Sequence, residues 1–311
     1  MTDPTLRLPS TESIDKAIKT GFLRLDHEIV HESVAKVQKA QSKLAAAELL
    51  APALSGSCAL LSFYDSSSKL LKVACTGDSR AVLGRRGPNG KWTATPLSED
   101  QTGSTPSEVE RLRREHPGEK NVVKNGRILG GLEPSRAFGD AYYKWTLKTN
   151  RELKQSYFSR SPSPLYASPP YVTAEPVITT TKVEPERGDF VVMATDGLWE
   201  MLTNEEVVFL VGQWLESQHS DKGKSHKTSS WLGNWYSSQK TASLEADSGG
   251  AGQKAPIRQQ QWGTTTSLHE RFVVEDKNAA THLIRNALGG KDQDQVSALL
   301  TLPSPFSRRY R

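Results

Sequence analysis

Among the 311 residues, the feature best suited to chemistry is a carboxylate at the end of an apolar run. In Phe190-Val-Val-Met-Ala-Thr-Asp196-Gly197-Leu-Trp-Glu200, a strand-like stretch delivers Asp196 and then a glycine that lets the backbone turn sharply. Hard cations such as Mg²⁺ or Mn²⁺ take oxygen ligands, and a carboxylate on a rigid strand end suits them. Asp-Gly after a strand is equally an ordinary turn in which the acid caps its own backbone. A second segment, Val73-Ala-Cys-Thr-Gly77-Asp78-Ser79-Arg80-Ala-Val-Leu, again sets an acid in a tight turn between two strand-like runs. A plain hairpin would use Gly-Asp-Ser there just as well. A third, Asn125 to Asp140, leads through glycine pivots into Ser135-Arg136-Ala137-Phe138-Gly139-Asp140. A different chemistry is spelled by His27-Glu28-Ile29-Val30-His31, where histidines four apart on a helix could hold zinc, with Glu28 as base and Glu48 as third ligand. An amphipathic surface helix spells the same letters by coincidence.

These residues need elements to position them. Ile14, Ile18, Phe22, Leu25, Ile29 and Val34 recur at helical spacing, which predicts helix over residues 14–50 until Pro52. Cys58–Tyr64 and Leu70–Cys75 read as strands joined by the polar turn Asp65–Lys69, and Ala81–Gly84 follows the Gly77–Arg80 turn. Gly87-Pro-Asn-Gly90 closes another hairpin, so the pattern is an antiparallel meander and not a series of βαβ units. Ser107–Glu115 reads as a short helix with Ser107 and Glu110 as a capping box. Val172–Thr181 and Asp189–Ala194 read as strands, Thr203–Trp214 as a helix capped by Thr203 and Glu206, and Asn278–Leu288 as a further helix. Residues 149–170 are rich in Ser, Pro and Tyr and read as a surface insertion. Residues 217–267 turn to Ser, Gly, Lys and Gln and read as a flexible low-complexity insertion.

The composition excludes several classes. A net charge of +5, with basic residues scattered and not striped, argues against a nucleic-acid partner. Two cysteines, Cys58 and Cys75, with no C-x-x-C spacing exclude a disulfide framework or zinc knuckle and fit a reducing compartment. No apolar run is long enough to span a bilayer. The acids Asp3, Glu12 and Asp15 fit neither a transit peptide nor a secretory leader.

Taken in order, Gly77–Arg80, Ser98–Gln101, Ser135–Asp140 and Ala194–Glu200 resemble the motif series of the PPM-type (type 2C) metal-dependent serine/threonine protein phosphatases. The resemblance spans about residues 55–215 and resumes over 278–302. Within that family, Asn278–Gly290 and Pro169–Pro176 are most similar to the mitochondrial pyruvate dehydrogenase phosphatases. The resemblance implies an α+β fold, the α-β-β-α sandwich of two antiparallel sheets flanked by helices, in a single domain over 1–311. It implies a binuclear Mg²⁺/Mn²⁺ centre whose water attacks protein phosphoserine or phosphothreonine, a phosphoprotein partner, and a mitochondrial location. Carried over by position, Asp196 would ligate one metal of the pair, and Asp78, Asp196 and Glu200 would hold a weaker third metal. Asp140 is read as an acid closing its turn, and Arg80 and Arg136 as structural ion-pair partners.

The departures from the family pattern bear on activity. No Asp-Gly-His segment occurs, and the arginine that precedes it in the family is absent as well. The chain reaches Ser307-Arg-Arg-Tyr-Arg311 where a closing acidic segment is expected, so the reading is a domain truncated at both ends with an incomplete centre. No residue is assigned as general acid or base. The rival functions are a catalytically inactive phosphatase-like binding protein and, remotely, a zinc metallopeptidase through His27 and His31.

Overall fold

The structure is a computed structural model and describes residues 11–157, 159–220 and 271–308. In chain order, helices α1 (Thr11–His27), α2 (Ser33–Ala40) and α3 (Lys43–Leu54) lead into strands β1 (Gly56–Ser57), β2 (Ala59–Asp65) and β3 (Leu70–Thr76). Strands β4 (Arg80–Arg86) and β5 (Trp92–Pro96), helix α4 (Pro106–Glu115) and the short strands β6 (Val123–Lys124), β7 (Arg127–Ile128) and β8 (Phe138–Gly139) follow. Next come α5 (Leu147–Tyr157), β9 (Val177–Lys182), β10 (Phe190–Ala194), α6 (Asp196–Trp199) and α7 (Asn204–Ser220). Helices α8 (Ala279–Leu288) and α9 (Gln293–Thr301) come last. This is an α+β fold with antiparallel sheets, as expected. The described residues fall into two compact units, one within residues 1–79 and 98–181 and the other within residues 80–97 and 182–311.

In the first unit, the sheet has the order β2-β3-β9, with β2 and β3 antiparallel in the register Ala59↔Thr76 to Asp65↔Leu70. The predicted helix over 14–50 is three pieces. A π turn at Glu28–Glu32 separates α1 from α2, and Gln41 in the left-handed region (φ 47°) closes α2 with its N–H on the Val37 carbonyl. Ser42 then caps α3, accepting from the Ala45 N–H at 3.3 Å, and Pro52 lies inside that helix instead of ending it. Val30, Val34, Val37, Leu50, Trp145 and Leu153 pack together in one core, and the indole N–H of Trp145 donates to the Val30 carbonyl at 2.7 Å. Residues 149–170, read as a surface insertion, therefore contribute to the interior, with Asn150, Leu153 and Tyr166 buried. Helix α4 starts at Pro106 with Thr105 before it, and the Ser107 hydroxyl donates outward to Glu99 at 3.1 Å. The Ser107–Glu110 capping box thus gives way to a proline-initiated helix.

In the second unit, the sheet order is β10-β4-β5, antiparallel throughout, with Ala194 opposite Arg80 and Val82 opposite Pro96. Helix α7 begins as predicted. The Thr203 N–H donates to Glu206 Oε2 at 2.9 Å and the Glu206 N–H to Thr203 Oγ1 at 3.1 Å, a reciprocal capping box. Its apolar residues Val207 to Val211 pack with Val82, Trp199, Leu202, Phe272 and Leu283. Helix α8 is capped by Asn278 and locked to α7 by His282, whose Nε2 lies 3.1 Å from the Leu210 carbonyl. The insertion read at 217–267 falls, beyond Ser220, outside the described residues.

Candidate functional site

The acids singled out in the sequence sit on two turns, one in each unit. In the second unit, β10 ends at Ala194 and the chain enters α6 through Thr195. Asp196 is the first helical residue, Thr195 before it makes no side-chain cap bond, and the Asp196 Oδ1 accepts the Gly197 N–H at 2.8 Å. The side chain is exposed, while Glu200 is half-buried. The Glu200 N–H donates to the Asp196 carbonyl at 2.8 Å, which places the two carboxylates one turn apart on the same side of the helix. Two anchors fix this turn from below. The Trp199 indole donates to the Ala194 carbonyl at 3.0 Å, and the buried Arg80 guanidinium donates to Asn204 Oδ1 at 2.9 Å while lying over the Trp199 ring at 5.1 Å.

In the first unit, Asp78 occupies the turn after β3. Its Oδ1 accepts the Cys58 thiol at 3.1 Å, and burial, reinforced by this carboxylate, pushes the Cys58 thiol well above its usual range. Gln101 clamps the same turn: its Oε1 accepts the Gly77 N–H at 2.7 Å and its Nε2 donates to the Cys75 carbonyl at 3.1 Å. Gly77 is required there, since its φ of +104° is left-handed and a Cβ would run into the Cys58 thiol.

The Ser135–Asp140 segment is held by two buried ion clusters. Arg136 donates to Glu108 Oε1 through Nε at 3.0 Å and Nη2 at 2.7 Å, while the Ser135 hydroxyl and Arg111 reach Oε2 at 2.6 and 2.8 Å. Burial opposes ionisation of Glu108, yet the hydrogen bonds from Arg136 and Arg111 hold its carboxyl down at about 2. Asp26 on α1 accepts the Gly139 N–H at 2.9 Å and the Lys144 ammonium at 2.7 Å, and Lys144 also donates to the Ala137 carbonyl. The reading of Arg136 as a structural ion-pair partner therefore holds. Asp140 behaves differently from its reading as an acid closing its turn. The turn is closed by backbone, from the Asp140 N–H to Ser55 and the Tyr143 N–H to Asp140, with Asp140 itself at φ 45°. Its carboxyl rests against Gly56 and accepts no hydrogen bond among the described residues. Burial raises its pKa against the pull of Lys144 and Arg160. Sequence offered no signal for this, because nothing in Gly-Asp distinguishes a capping carboxylate from an unbonded one.

Among the described residues, no group of three or more His, Cys, Asp or Glu side chains is placed to hold a metal ion. A binuclear centre needs several carboxylates around one point, and the described residues alone do not supply that cluster. For the zinc pattern, the exposed rings of His27 and His31 lie 5.0 Å apart across the π turn, and among the described residues no third ligand completes the set.

The profile of the family described as Protein phosphatase 2C matches residues 5–240. The chain belongs to the protein phosphatase 2C family. It is 48% identical over 304 residues to a protein phosphatase 2C homolog of Schizosaccharomyces pombe, covering 97% of this chain and 61% of that relative. It is 45% identical over 313 residues to the mitochondrial pyruvate dehydrogenase [acetyl-transferring]-phosphatase 1 of Saccharomyces cerevisiae, covering 96% and 52%. The human protein of that same name is 36% identical over 315 residues, covering 96% and 53%. The chain thus spans between 52% and 61% of the length of these relatives. Membership also closes the zinc metallopeptidase reading, since residues 27–48 fall inside the matched range.

Proposed function

We propose that this chain serves the hydrolysis of phosphoserine and phosphothreonine in proteins, with Mg²⁺ or Mn²⁺ as the cation. The family match over residues 5–240 carries the reading. The names of the Saccharomyces and human relatives support the pyruvate dehydrogenase complex as the substrate and the mitochondrion as the compartment. No described helix is long and apolar enough to cross a membrane. In the reaction, water bonds to phosphorus, the bond from phosphorus to the serine or threonine oxygen breaks, and that oxygen leaves with a proton. When bound, the cation supplies charge neutralisation to the phosphoryl oxygens. Asp196, Glu200 and Asp78 are the acids we assign to it.

A second reading, a phosphatase-like binding protein without turnover, draws on that same lack of a three-ligand cluster among the described residues. The two are separated by assaying this chain on a phosphothreonine peptide across a Mn²⁺ titration. Release of phosphate that rises with Mn²⁺ and is lost in Asp196→Asn supports the hydrolase. Tight peptide binding with no phosphate released overturns it in favour of the binding protein.

A further inference from the structure

Residues Glu28–Glu32 form a π turn set into an otherwise α-helical run, and such turns are frequent at functional sites. Two side-chain donors take carbonyls from the backbone ladder there. The Ser33 hydroxyl donates to Ile29 at 2.6 Å and the Trp145 indole to Val30 at 2.7 Å. His27 stands just before the turn and His31 within it. Four residues make about one helical turn, so the two rings leave the same side, with centres 5.0 Å apart and planes 42° apart. Both are exposed, and neither ring makes a hydrogen bond among the described residues. The acids beside them are engaged: Glu28 with Arg24 and Glu32 with Lys36, each at 3.7 Å, and buried Asp26 with Lys144 at 2.7 Å. Partial burial, and then His27, lower the pKa of His31; Lys144 adds to this and Asp26 opposes it. The His31 ring is therefore neutral at neutral pH, with a lone pair free to bind a cation.

We propose that His27 and His31 chelate one zinc ion at a non-catalytic site, with water completing the coordination. Histidines four apart on one helix face have the spacing that holds zinc, and a two-ligand chelate does not need the third ligand that a peptidase centre would. A zinc ion about 2.0–2.1 Å from one nitrogen of each ring lies about 3.2 Å from each ring centre, so centres 5.0 Å apart subtend roughly 100° at the metal. That angle is near tetrahedral, which suits zinc better than square-planar Cu²⁺. Imidazole nitrogens bind zinc readily, whereas Mg²⁺ and Mn²⁺ prefer oxygen, so this site is chemically distinct from the acids assigned to the phosphatase cation. The ion would bridge α1 to the π turn, where the helical ladder is interrupted. The chelate does not rest on the phosphatase reading.

Calorimetric titration of the full chain with Zn²⁺ at neutral pH tests it. His27→Ala and His31→Ala should each weaken zinc binding by roughly tenfold or more, with an unchanged circular dichroism spectrum because both positions are exposed. Excess Mg²⁺ should leave the zinc in place. The unmodified chain gives a second readout: Zn²⁺ should shield both rings from diethyl pyrocarbonate, read by mass spectrometry of the peptides, and slow amide exchange over residues 28–32. A chain that binds no zinc overturns the proposal, as does a zinc affinity that either substitution leaves unchanged. Modification of His27 and His31 at the same rate with and without Zn²⁺ overturns it even where a variant fails to fold.

Discussion

With Arg136 on one oxygen and Arg111 and the Ser135 hydroxyl on the other, the Glu108 carboxylate pairs with two guanidinium groups whose side chains are 10% and 12% exposed. Removing one member of such a cluster strands the rest, so the loss is larger than the net worth of the cluster itself. Glu108→Ala is expected to cost on the order of 3–5 kcal/mol of stability, read as a lower denaturant midpoint at neutral pH. The pH dependence has a definite sign. The folded pKa of about 2 lies below the ordinary value of 4.5, so Glu108 stabilises fully above 4.5 and loses that contribution as pH falls from 4.5 toward 2. Glu108→Gln should flatten this part of the acid limb. A variant whose unfolding still follows the unmodified protein between those two pH values would show that the acid response arises elsewhere.

At the level of elements, the turn after β3 is where one atom decides the geometry. Gly77 needs its left-handed φ, and the space a Cβ would take is already filled by the Cys58 thiol. Gly77→Ala therefore carries two separable costs, backbone strain of about 1–3 kcal/mol and a steric term from the packed thiol. Thermal unfolding of the single variant and of Gly77→Ala with Cys58→Ala separates them: the pair should recover the steric share and keep the strain. No recovery would mean that the thiol is not what limits the site. The strands on either side of this turn were legible in the sequence because Ala59–Asp65 and Leu70–Thr76 are apolar runs bounded by Asp, Ser and Gly. The reciprocal cap of Thr203 and Glu206 was legible for a similar reason, since both partners lie within one helical turn. What could not be read depends on distant partners. Glu108 meets Arg136 across 28 residues and Asp26 meets Lys144 across 118, and no local pattern encodes either meeting. The break at Gln41 was hidden as well, because glutamine is an ordinary helix former and carries no turn signal. The candidate acids Asp78, Asp196 and Glu200 stood out because glycine and strand ends mark their turns, whereas Asp140 differs only in the hydrogen bonds it lacks.

For the molecule as a whole, family membership and the supply of metal ligands set different expectations. The family profile matches residues 5–240, yet no three metal-ligating side chains gather among the described residues. Two divalent cations bring four positive charges to one place, and the three acids assigned above, Asp78, Asp196 and Glu200, offset at most three of them. A single, loosely held Mn²⁺ is the expected result, with Kd on the order of a millimolar, because affinity follows the number and charge of the oxygen ligands. Binding to the folded chain alone raises its stability by RT ln(1 + [L]/Kd), so Mn²⁺ at its Kd adds only about 0.4 kcal/mol. The melting temperature should therefore creep upward over a millimolar titration, without a plateau at micromolar metal, and Asp196→Asn should remove the response. Calorimetric titration provides the count that thermal shifts cannot. Two Mn²⁺ per chain, bound at micromolar concentration, would require a full ligand set and would overturn the conclusion that the described acids do not assemble a pair site.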